Sequence, residues 1–258
     1  QAIAAQAFGT ESIPAVDVIV GPGNKYVAAA KRLLFGTVGI DFIAGPTDVL
    51  IIAGPDKEAV SDAASGAEGF SQRAAELAAA DLLAQAEHDC DARARILLPS
   101  RKAADLVQDA LERQIAQLDT KETARASLDA GGLMVIYDSK EEACRIADSI
   151  APEHLELHLN DAEAWIPCLH NYGSLFIGRQ AAEVLGDYSC GINHTLPTSR
   201  SARFTGGLSV RHFLKTLTTL RCTETAAWQQ ALEAAENIAR AEGLAGHKAG
   251  ATARRKHV

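Results

Sequence analysis

The sequence predicts an α/β fold, in which a mostly parallel, twisted sheet is flanked by helices and followed by an all-helical tail. Up to about Arg203, short runs of β-branched and aliphatic residues alternate with alanine- and leucine-rich segments of helical length. Strands separated by such helices form βαβ units, whose strands lie parallel in one sheet. Aromatic residues make up only 5% of the chain, which also favours helices packed on sheets over an all-β sandwich.

The individual elements are predicted from hydrophobic runs and from the glycine and proline residues that interrupt them. The predicted strands are Val16–Val20, Asp48–Ala53, Arg95–Pro99, Leu133–Tyr137 and Ser174–Gly178. The predicted helices between them are Tyr26–Leu34, Arg73–Glu87, Ala103–Leu118 and Lys140–Ser149. The segment from Val210 through Ala241 is predicted to be helical. Because this tail is too short to bury a core of its own, we expect it to pack on something else.

One segment, Gly54–Gln72, interrupts the alternation of strands and helices. It is rich in glycine, serine, aspartate and alanine, and it separates a strand from the next helix. Its composition lacks an apolar face that would require burial. The sequence therefore predicts an exposed loop or short extra helix that carries no catalytic residue.

Composition and charge exclude several classes of partner. The 258-residue chain has a formal net charge of −8, and its one basic run is Arg254–Lys256. A nucleic-acid partner is not expected, because phosphate binding requires a concentrated lysine and arginine surface. No apolar stretch approaches the length of a membrane span, and no signal peptide is visible.

The cysteines predict the redox state and compartment of the protein, and the first residues predict whether the chain starts inside a longer protein. The five cysteines are an odd number without CxxC spacing, which predicts reduced thiols in a cytoplasmic protein. The chain begins with Gln1 rather than methionine, and its first residues resemble the middle of a helix. We therefore expect that it begins inside a longer protein.

Two glycine-containing turns lie next to predicted strands: one follows a strand and leads into a helix, and the other leads into a strand. GPGN (Gly21–Asn24) joins a predicted strand to a predicted helix, where backbone N–H groups and the helix dipole favour an anion such as a pyrophosphate. The motif is not GxGxxG, and a purely structural turn is the commoner explanation. GPTD (Gly45–Asp48) is open to the same two interpretations.

Two short motifs contain pairs of residues suited to metal binding or proton transfer. Gln85 and His88 in QAEHD are three residues apart on a predicted helix, so both can face one metal ion. Glu153 and His154 in APEH follow a proline at a predicted helix start, and could transfer protons at neutral pH. Alternatively, His88 stabilises a helix C-terminus, while Glu153 and His154 are ordinary residues of a helix N-terminus.

Two further stretches carry polar residues outside the regular pattern. Gly186–Gly207 holds Asp187 and His194 among glycines, prolines and hydroxyl residues, a composition typical of loops on which sites are built. Near the C-terminus, AEGLAGHKA places Glu242 and His247 at the end of the last predicted helix. These two residues are equally consistent with a charged helix end.

Taken together, these motifs resemble the histidinol dehydrogenase family. GPGNxYVxxAKR, IDxxAGPT, DLLxQAEHD, IAPEHLEL, GDYxxGxNHxLPTSRSARFxGGLSV and AEGLxxHKA occur in the order and approximate spacing of that family. The resemblance covers essentially the whole chain, and APEHLE and NHTLPTSRSARF are its most specific parts. It implies Rossmann-like parallel-sheet domains, incomplete here at the N-terminus, and a domain-swapped homodimer.

The resemblance implies one zinc ion per subunit, held by Gln85, His88, Asp187 and His247. Nitrogen and oxygen ligands without thiolate suit zinc, and such a set leaves room for the substrate's own nitrogen atoms. The zinc would mainly orient the substrate, with a lesser part as a Lewis acid.

The resemblance also implies oxidation of L-histidinol to L-histidine through histidinal, with two NAD. His154 would take protons from the alcohol and from the aldehyde hydrate, and Glu153 would activate the attacking water. The implied NAD contacts are Gln1 and Asn24. The implied substrate contacts are Thr47, Gln85, His88, His154, Asp187, His194, Glu242 and His247.

Three domains are implied in the same way. Residues 1–47 would be part of an NAD-binding-type α/β domain, and residues 48–203 a second Rossmann-like domain bearing the zinc and acid–base residues. The helical tail, residues 204–258, would be swapped to a partner subunit, to which it donates Glu242 and His247. Within one chain, Gln85, His88 and Asp187 should therefore converge, while His247 lies far away.

Two other functions stay open. Paralogues in this superfamily keep the zinc set but oxidise other primary alcohols, such as a sulfonated propanediol. The EGLAGHKA ending, with Glu242, favours histidinol. The second alternative is an inactive zinc-binding fragment, because part of the implied NAD site lies upstream of Gln1.

Overall fold

The structure is a computed structural model that describes residues 1–56, 69–223 and 226–255. The chain divides into two compact units, Gln1–Leu214 and Lys215–Val258. Most of the predicted loop Gly54–Gln72 lies outside the described residues. At its described ends Asp56 and Phe70 are buried, so the expectation of an exposed segment is wrong there. Phe70 packs into the core, and the Asp56 carboxylate accepts a hydrogen bond from the Ser71 N–H at 2.8 Å.

The first unit contains the strands and most of the helices. Its strands are β1 (Val18–Ile19), β2 (Gly39–Ile40), β3 (Asp48–Ala53), β4 (Arg93–Leu98), β5 (Leu133–Ile136), β6 (His154–His158) and β7 (Ser174–Ile177). Its α-helices are α1 (Ala2–Phe8), α2 (Lys25–Leu34), α3 (Gln72–Ala86), α4 (Arg101–Ile115), α5 (Lys121–Gly131), α6 (Lys140–Ile150) and α7 (Glu183–Tyr188). Short 3-10 helices cover Ala162–Cys168, Ser201–Arg203 and Val210–Phe213.

The strands form two parallel sheets. β1 pairs with β2, and the larger sheet has the order β5-β4-β3-β6-β7 with every neighbouring pair parallel. Together with the helices of the tail, these sheets confirm the predicted α/β fold.

The core lies on both faces of the central strand β3, whose six residues are all buried. Alternate side chains point to opposite faces of a strand. Val49, Ile51 and Ala53 therefore pack beneath α3 and α4. Leu50 and Ile52 pack on the other face, with residues of α6 and β6. Burial on both faces is typical of a parallel sheet covered by helices.

The sequence prediction missed four strands and α-helices of the first unit, namely β2, α5, β6 and α7. APEH does not begin a helix: α6 ends at Ile150, Ala151 adopts a left-handed φ of 50°, and His154–His158 is strand β6. The segment HLELH alternates between polar and apolar residues with the period of a strand, but its polar residues are buried as well. Helix α5 was not predicted.

The cysteine prediction is wrong for one pair. Cys144 and Cys168 form a disulfide, whereas Cys90, Cys190 and Cys222 are free thiols. Helix α6 and the 3-10 helix Ala162–Cys168 pack on the same side of the sheet, which brings the two Cα atoms to 6.0 Å. This proximity arises from tertiary packing over 24 residues of sequence, so the cysteine spacing did not reveal it.

The second unit is helical but starts later than predicted. Its helices are α8 (Ala226–Ala241) and α9 (Ala245–Arg255), which pack on each other after a turn at Gly243, where φ is 73°. Residues 214–223 have no regular structure, so the predicted helix from Val210 is wrong over that range. Within the described ranges, every helix is too short or too polar to cross a membrane.

Candidate active site

The residues of the APEH and GPTD motifs meet at the amino ends of strands β3 and β6. The Thr47 hydroxyl donates a hydrogen bond to Glu153 Oε2 at 2.6 Å, and the Asp48 N–H donates to the same oxygen at 3.3 Å. In return, the Glu153 N–H donates to Asp48 Oδ1 at 3.2 Å. These reciprocal bonds hold the two strand starts together and fix the Glu153 carboxyl group. Sites in open α/β sheets more often lie at the carboxyl ends of the strands.

The part of Gly186–Gly207 that contains Thr198 and Ser199 packs near the amino end of strand β3. Thr198 Oγ1 accepts a hydrogen bond from the Gly45 N–H at 2.5 Å, and a Cβ atom on Gly45 would collide with the Ser199 hydroxyl. A larger residue at this position would therefore require the Ser199 side chain to move. Ser199 and Arg200 have φ angles of 54° and 66°, a left-handed backbone conformation that is uncommon for residues other than glycine.

His154 is the buried imidazole of this edge. It is 4% exposed, and its ring lies 6.0 Å from the ring of Phe176 between centroids. Burial lowers the pKa of His154 to about 4, and the neighbouring His88 and His194 contribute in the same direction. The ring is therefore neutral at neutral pH, the form in which it can accept a proton.

Glu153 lies beside His154 with the opposite perturbation. Burial raises the pKa of Glu153 to about 8, an effect reduced by the Thr47 hydrogen bond and increased by the Asp48 charge. Two adjacent groups whose pKa values are moved in opposite directions are typical of acid–base sites. The pair can therefore divide proton transfer between an imidazole and a carboxyl group.

The raised pKa of Glu153 predicts a pH-dependent difference in stability. Between its ordinary value of 4.5 and about 8, Glu153 keeps its proton in the folded chain and loses it on unfolding. The folded state then binds more protons, so this group makes stability fall as the pH rises through that range. Glu153→Gln has no proton to lose at this position, so its free energy of unfolding should not show this decrease. We therefore expect the free energy of unfolding of the variant to rise relative to that of the wild type as the pH is raised from 5 to 9. Urea unfolding of the metal-free proteins would measure it, and a constant difference would contradict the assignment.

A group of possible metal ligands adjoins His154. The ligand atoms of His88, Glu183 and Asp187 lie within 4.8 Å of one another. Glu183 Oε2 is also 3.6 Å from His154 Nδ1. Burial raises the pKa of Glu183 to about 9, to which the Asp187 charge adds, and a cation bound here would favour the charged form.

The positions of the predicted ligands differ in part from the sequence prediction. Gln85 lies on α3, but α3 ends at Ala86 and His88 follows in the turn beyond it. Asp187 lies on the short helix α7, not in a loop. Gln85 is completely buried, and neither polar atom of its amide has a hydrogen-bond partner among the described residues. An orphaned buried amide and a cluster of imidazole and carboxylate groups fit a zinc ion.

Glu183 is a site residue that the sequence motifs missed. It precedes the GDY motif by three residues, and no motif distinguished this buried glutamate from the exposed glutamates of the chain. A possible signal was its spacing of four residues from Asp187, which places both carboxylates on one helix face.

The predicted NAD-contacting residues Gln1 and Asn24 do not belong to the ligand group of His88, Glu183 and Asp187. Gln1 precedes α1, and Asn24 caps α2, its side-chain oxygen accepting hydrogen bonds from N–H groups of the first turn. The GPGN turn is fixed by Asp41, which accepts from the Gly21 N–H at 2.7 Å, and by the buried Lys31, which bonds Asp41 at 2.6 Å. These contacts explain the turn structurally, and an NAD contact stays a prediction.

The remaining predicted residues divide between the two units. His194 is exposed and lies close enough to His154 to affect its pKa. Glu242 follows α8 and His247 lies in the first turn of α9, not at the end of the last helix. Both are exposed in the second unit, and their part in the site stays a prediction.

Comparisons with known proteins point to one family. Residues 1–255 match the family model described as histidinol dehydrogenase. A histidinol dehydrogenase of Thermus thermophilus is 47% identical over 247 residues, which cover 96% of this chain and 56% of that protein. One of Brucella abortus is 48% identical over 248 residues, with 96% and 54% covered. The crystal structure of histidinol dehydrogenase from Elizabethkingia anophelis superposes with a TM-score of 0.82 at 36% identity, covering 100% of this chain and 55% of that one. The chain thus spans about half the length of the relatives that it matches.

Proposed function

The chain belongs to the histidinol dehydrogenase family, and we propose that it oxidises L-histidinol to L-histidine through histidinal, with zinc and two NAD. The observation that carries the proposal is the buried His154, whose Nδ1 lies 3.6 Å from Glu183 Oε2 of the ligand group around His88 and which follows Glu153 directly in the chain. That arrangement combines a proton acceptor with donors for a metal ion, as a metal-assisted alcohol oxidation requires.

The proposed metal set is Gln85, His88 and Asp187 with His247. When bound, zinc would orient the substrate's nitrogen atoms and polarise its oxygen. The buried amide of Gln85, without another partner, supports its inclusion in this set. The proximity of Glu183 to His88 and Asp187 adds a carboxylate that can hold or orient the site from one side.

In the first oxidation, His154 takes the proton from the substrate hydroxyl while the carbon transfers a hydride to NAD. The products are histidinal and NADH, and the proton stays on the imidazole until it is released. In the second, the deprotonated form of Glu153, which becomes the major form above about pH 8, takes a proton from the water that attacks the aldehyde carbon. The His154 imidazolium left by the first step returns its proton to the aldehyde oxygen, which completes the hydrate. The resulting hydrate loses a proton to His154 and a hydride to the second NAD, which leaves the carboxylic acid.

The neighbouring residues would position the reactants. Thr47 already donates to Glu153 and so can link that carboxyl group to the substrate. His194, near His154, and Glu242 from the tail are proposed to bind the polar ends of histidinol. Gln1 and Asn24 are proposed NAD contacts.

NADH formation tests the function directly. The chain, and a chain extended at its amino end to the length of its relatives, would be assayed with L-histidinol and with dihydroxypropanesulfonate. Two NADH per histidinol oxidised is the expected result. If only dihydroxypropanesulfonate is oxidised, the protein has the paralogous activity. If both chains bind zinc but neither forms NADH with either substrate, the protein is an inactive zinc-binding protein.

We also propose a homodimer in the cytoplasm, in which residues 204–258 of each chain dock on the other. Leu217 and Leu220 are 79% and 88% exposed within a segment that lacks regular structure. Exposed leucines in such a segment gain most by packing on a second copy, and exchange of identical elements is a low-cost route to a dimer. In this arrangement His247 and Glu242 come from the partner.

Mixing two inactive variants tests the exchange of tails. His88→Ala and His247→Ala chains should each be inactive alone. After mixing and refolding, a hybrid dimer would contain one site with a complete ligand set, so we expect activity to return in part. Mixing His88→Ala with Gln85→Ala is the control, since both changes lie in the same unit. Equal recovery in the two mixtures would contradict donation from the partner.

A further inference from the structure

A buried layer of polar side chains extends inward from the candidate site along strand β6. His154, Glu156 and His158 alternate along the strand and pair in register with Val49, Ile51 and Ala53 of β3, the residues that α3 covers. Glu156 is 0% exposed and His158 is 2% exposed. Charged groups at this depth are retained only with partners, because their transfer from water is costly.

The Glu156 carboxylate is held from two directions. Its Oε2 lies 3.0 Å from His158 Nε2, and Asp81 Oδ2 of helix α3 lies 3.4 Å from the same nitrogen. Burial and the Glu156 charge raise the pKa of Asp81 to about 7, so Asp81 can keep the proton that relieves repulsion between the two carboxyl groups. The other oxygen, Oε1, accepts a hydrogen bond from the Glu183 N–H at 2.8 Å.

That last hydrogen bond supplies a cap that helix α7 lacks. Ala182 occupies the N-cap position, and its side chain has no acceptor. N–H groups of the first turn need a partner from elsewhere, and alanine is among the poorest N-cap residues. In a helix of 6 residues, one such bond is a large part of the local stabilisation. Glu183 and Asp187 lie four residues apart on this helix, so its first residue sets the position of both carboxylates.

We propose that Glu156 is a positioning residue of the candidate active site. Held by His158 and Asp81, it fixes the start of α7 and so places Glu183 and Asp187 beside His88 and His154. The consequence for zinc rests on the proposed function, because it assumes that Asp187 is a ligand. The predicted loss of exchange protection in α7 does not depend on the proposed function.

Three variants at position 156 test the role in the full chain. Glu156→Leu removes the acceptor, and Glu156→Asp withdraws it by one methylene group. Glu156→Gln keeps an oxygen that can accept from the Glu183 N–H. We expect faster amide exchange over residues 183–188, and about 10- to 100-fold weaker Zn²⁺ binding, in the first two variants but not in Glu156→Gln. Ser127→Ala is the matched control, since it removes another buried hydrogen bond, from Ser127 Oγ to the Ala92 carbonyl at 2.9 Å, without touching α7.

A rescue separates capping from a general loss of stability. Ala182 has φ −91° and ψ 153°, the extended conformation that an N-cap residue adopts. Adding Ala182→Ser to Glu156→Leu, or to Glu156→Asp should the leucine variant not fold, supplies an acceptor for the N–H groups of residues 184 and 185 rather than for that of Glu183. It is therefore expected to restore part of the exchange protection and part of the Zn²⁺ affinity. Wild-type exchange over α7 in the folded single variants would overturn the inference. A wild-type protein without Zn²⁺ affinity would instead refute the proposed metal set, and the exchange data would still decide the role of Glu156.

Discussion

Replacement of His88 by alanine is expected to leave the purified protein without stoichiometric zinc and to lower histidinol oxidation by about 10³-fold or more. The variant removes the imidazole from a group in which Glu183 and Asp187 remain within 4.8 Å of its position. Loss of the metal would remove several kcal/mol of transition-state stabilisation, and each 1.36 kcal/mol corresponds to about tenfold in rate. Metal analysis after dialysis and the rate of NADH formation measure the two effects.

The control for His88→Ala is a histidine that also contacts a carboxylate but lies elsewhere. His170 Nδ1 is 3.0 Å from Asp148 Oδ2 on the surface, and His170→Ala should keep both zinc and activity. Asp187→Ala and Gln85→Ala should behave like His88→Ala. Full zinc occupancy in His88→Ala would remove the assignment of this residue as a ligand.

The regular part of the fold could be predicted because local pattern and tertiary environment agree there. After Asp48, strand Asp48–Ala53 consists of apolar residues and is buried on both faces, and its bounds match the prediction. Strand β6 escaped prediction because its polar residues pair with one another inside the protein. A pattern of alternating polar residues ordinarily indicates a face in water, and here that face is covered by α3.

The candidate site could be predicted where chemistry is concentrated in one motif, and not where it is assembled across the sheet. Glu153 and His154 are neighbours in sequence, so one motif predicted both as candidates. Glu156 and Glu183 lie 27 residues apart in the chain. The hydrogen bond between them forms only because the fold brings β6 and the start of α7 together, so no local motif contains both residues. The disulfide between Cys144 and Cys168 depends on packing in the same way.

Glu153→Gln and His154→Ala are expected to fail at different steps of the reaction. Loss of the base at His154 should slow both oxidations by about 10² to 10⁴, the usual contribution of a general acid–base group. Glu153→Gln should slow the oxidation of histidinal more than that of histidinol, because only the second oxidation needs an activated water. Its amide oxygen can still accept from the Thr47 hydroxyl and the Asp48 N–H, so the strand starts stay joined.

Single-turnover NADH formation from histidinol and, separately, from histidinal measures the two steps in each variant. Thr47→Val is the matched control, since it removes the hydroxyl that holds Glu153 while the carboxyl group itself remains. We expect this control to slow the histidinal step less than Glu153→Gln does, because a misplaced base still accepts protons. If Glu153→Gln slows both oxidations equally, Glu153 does not act on the water, and its carboxyl group serves only to join β3 to β6.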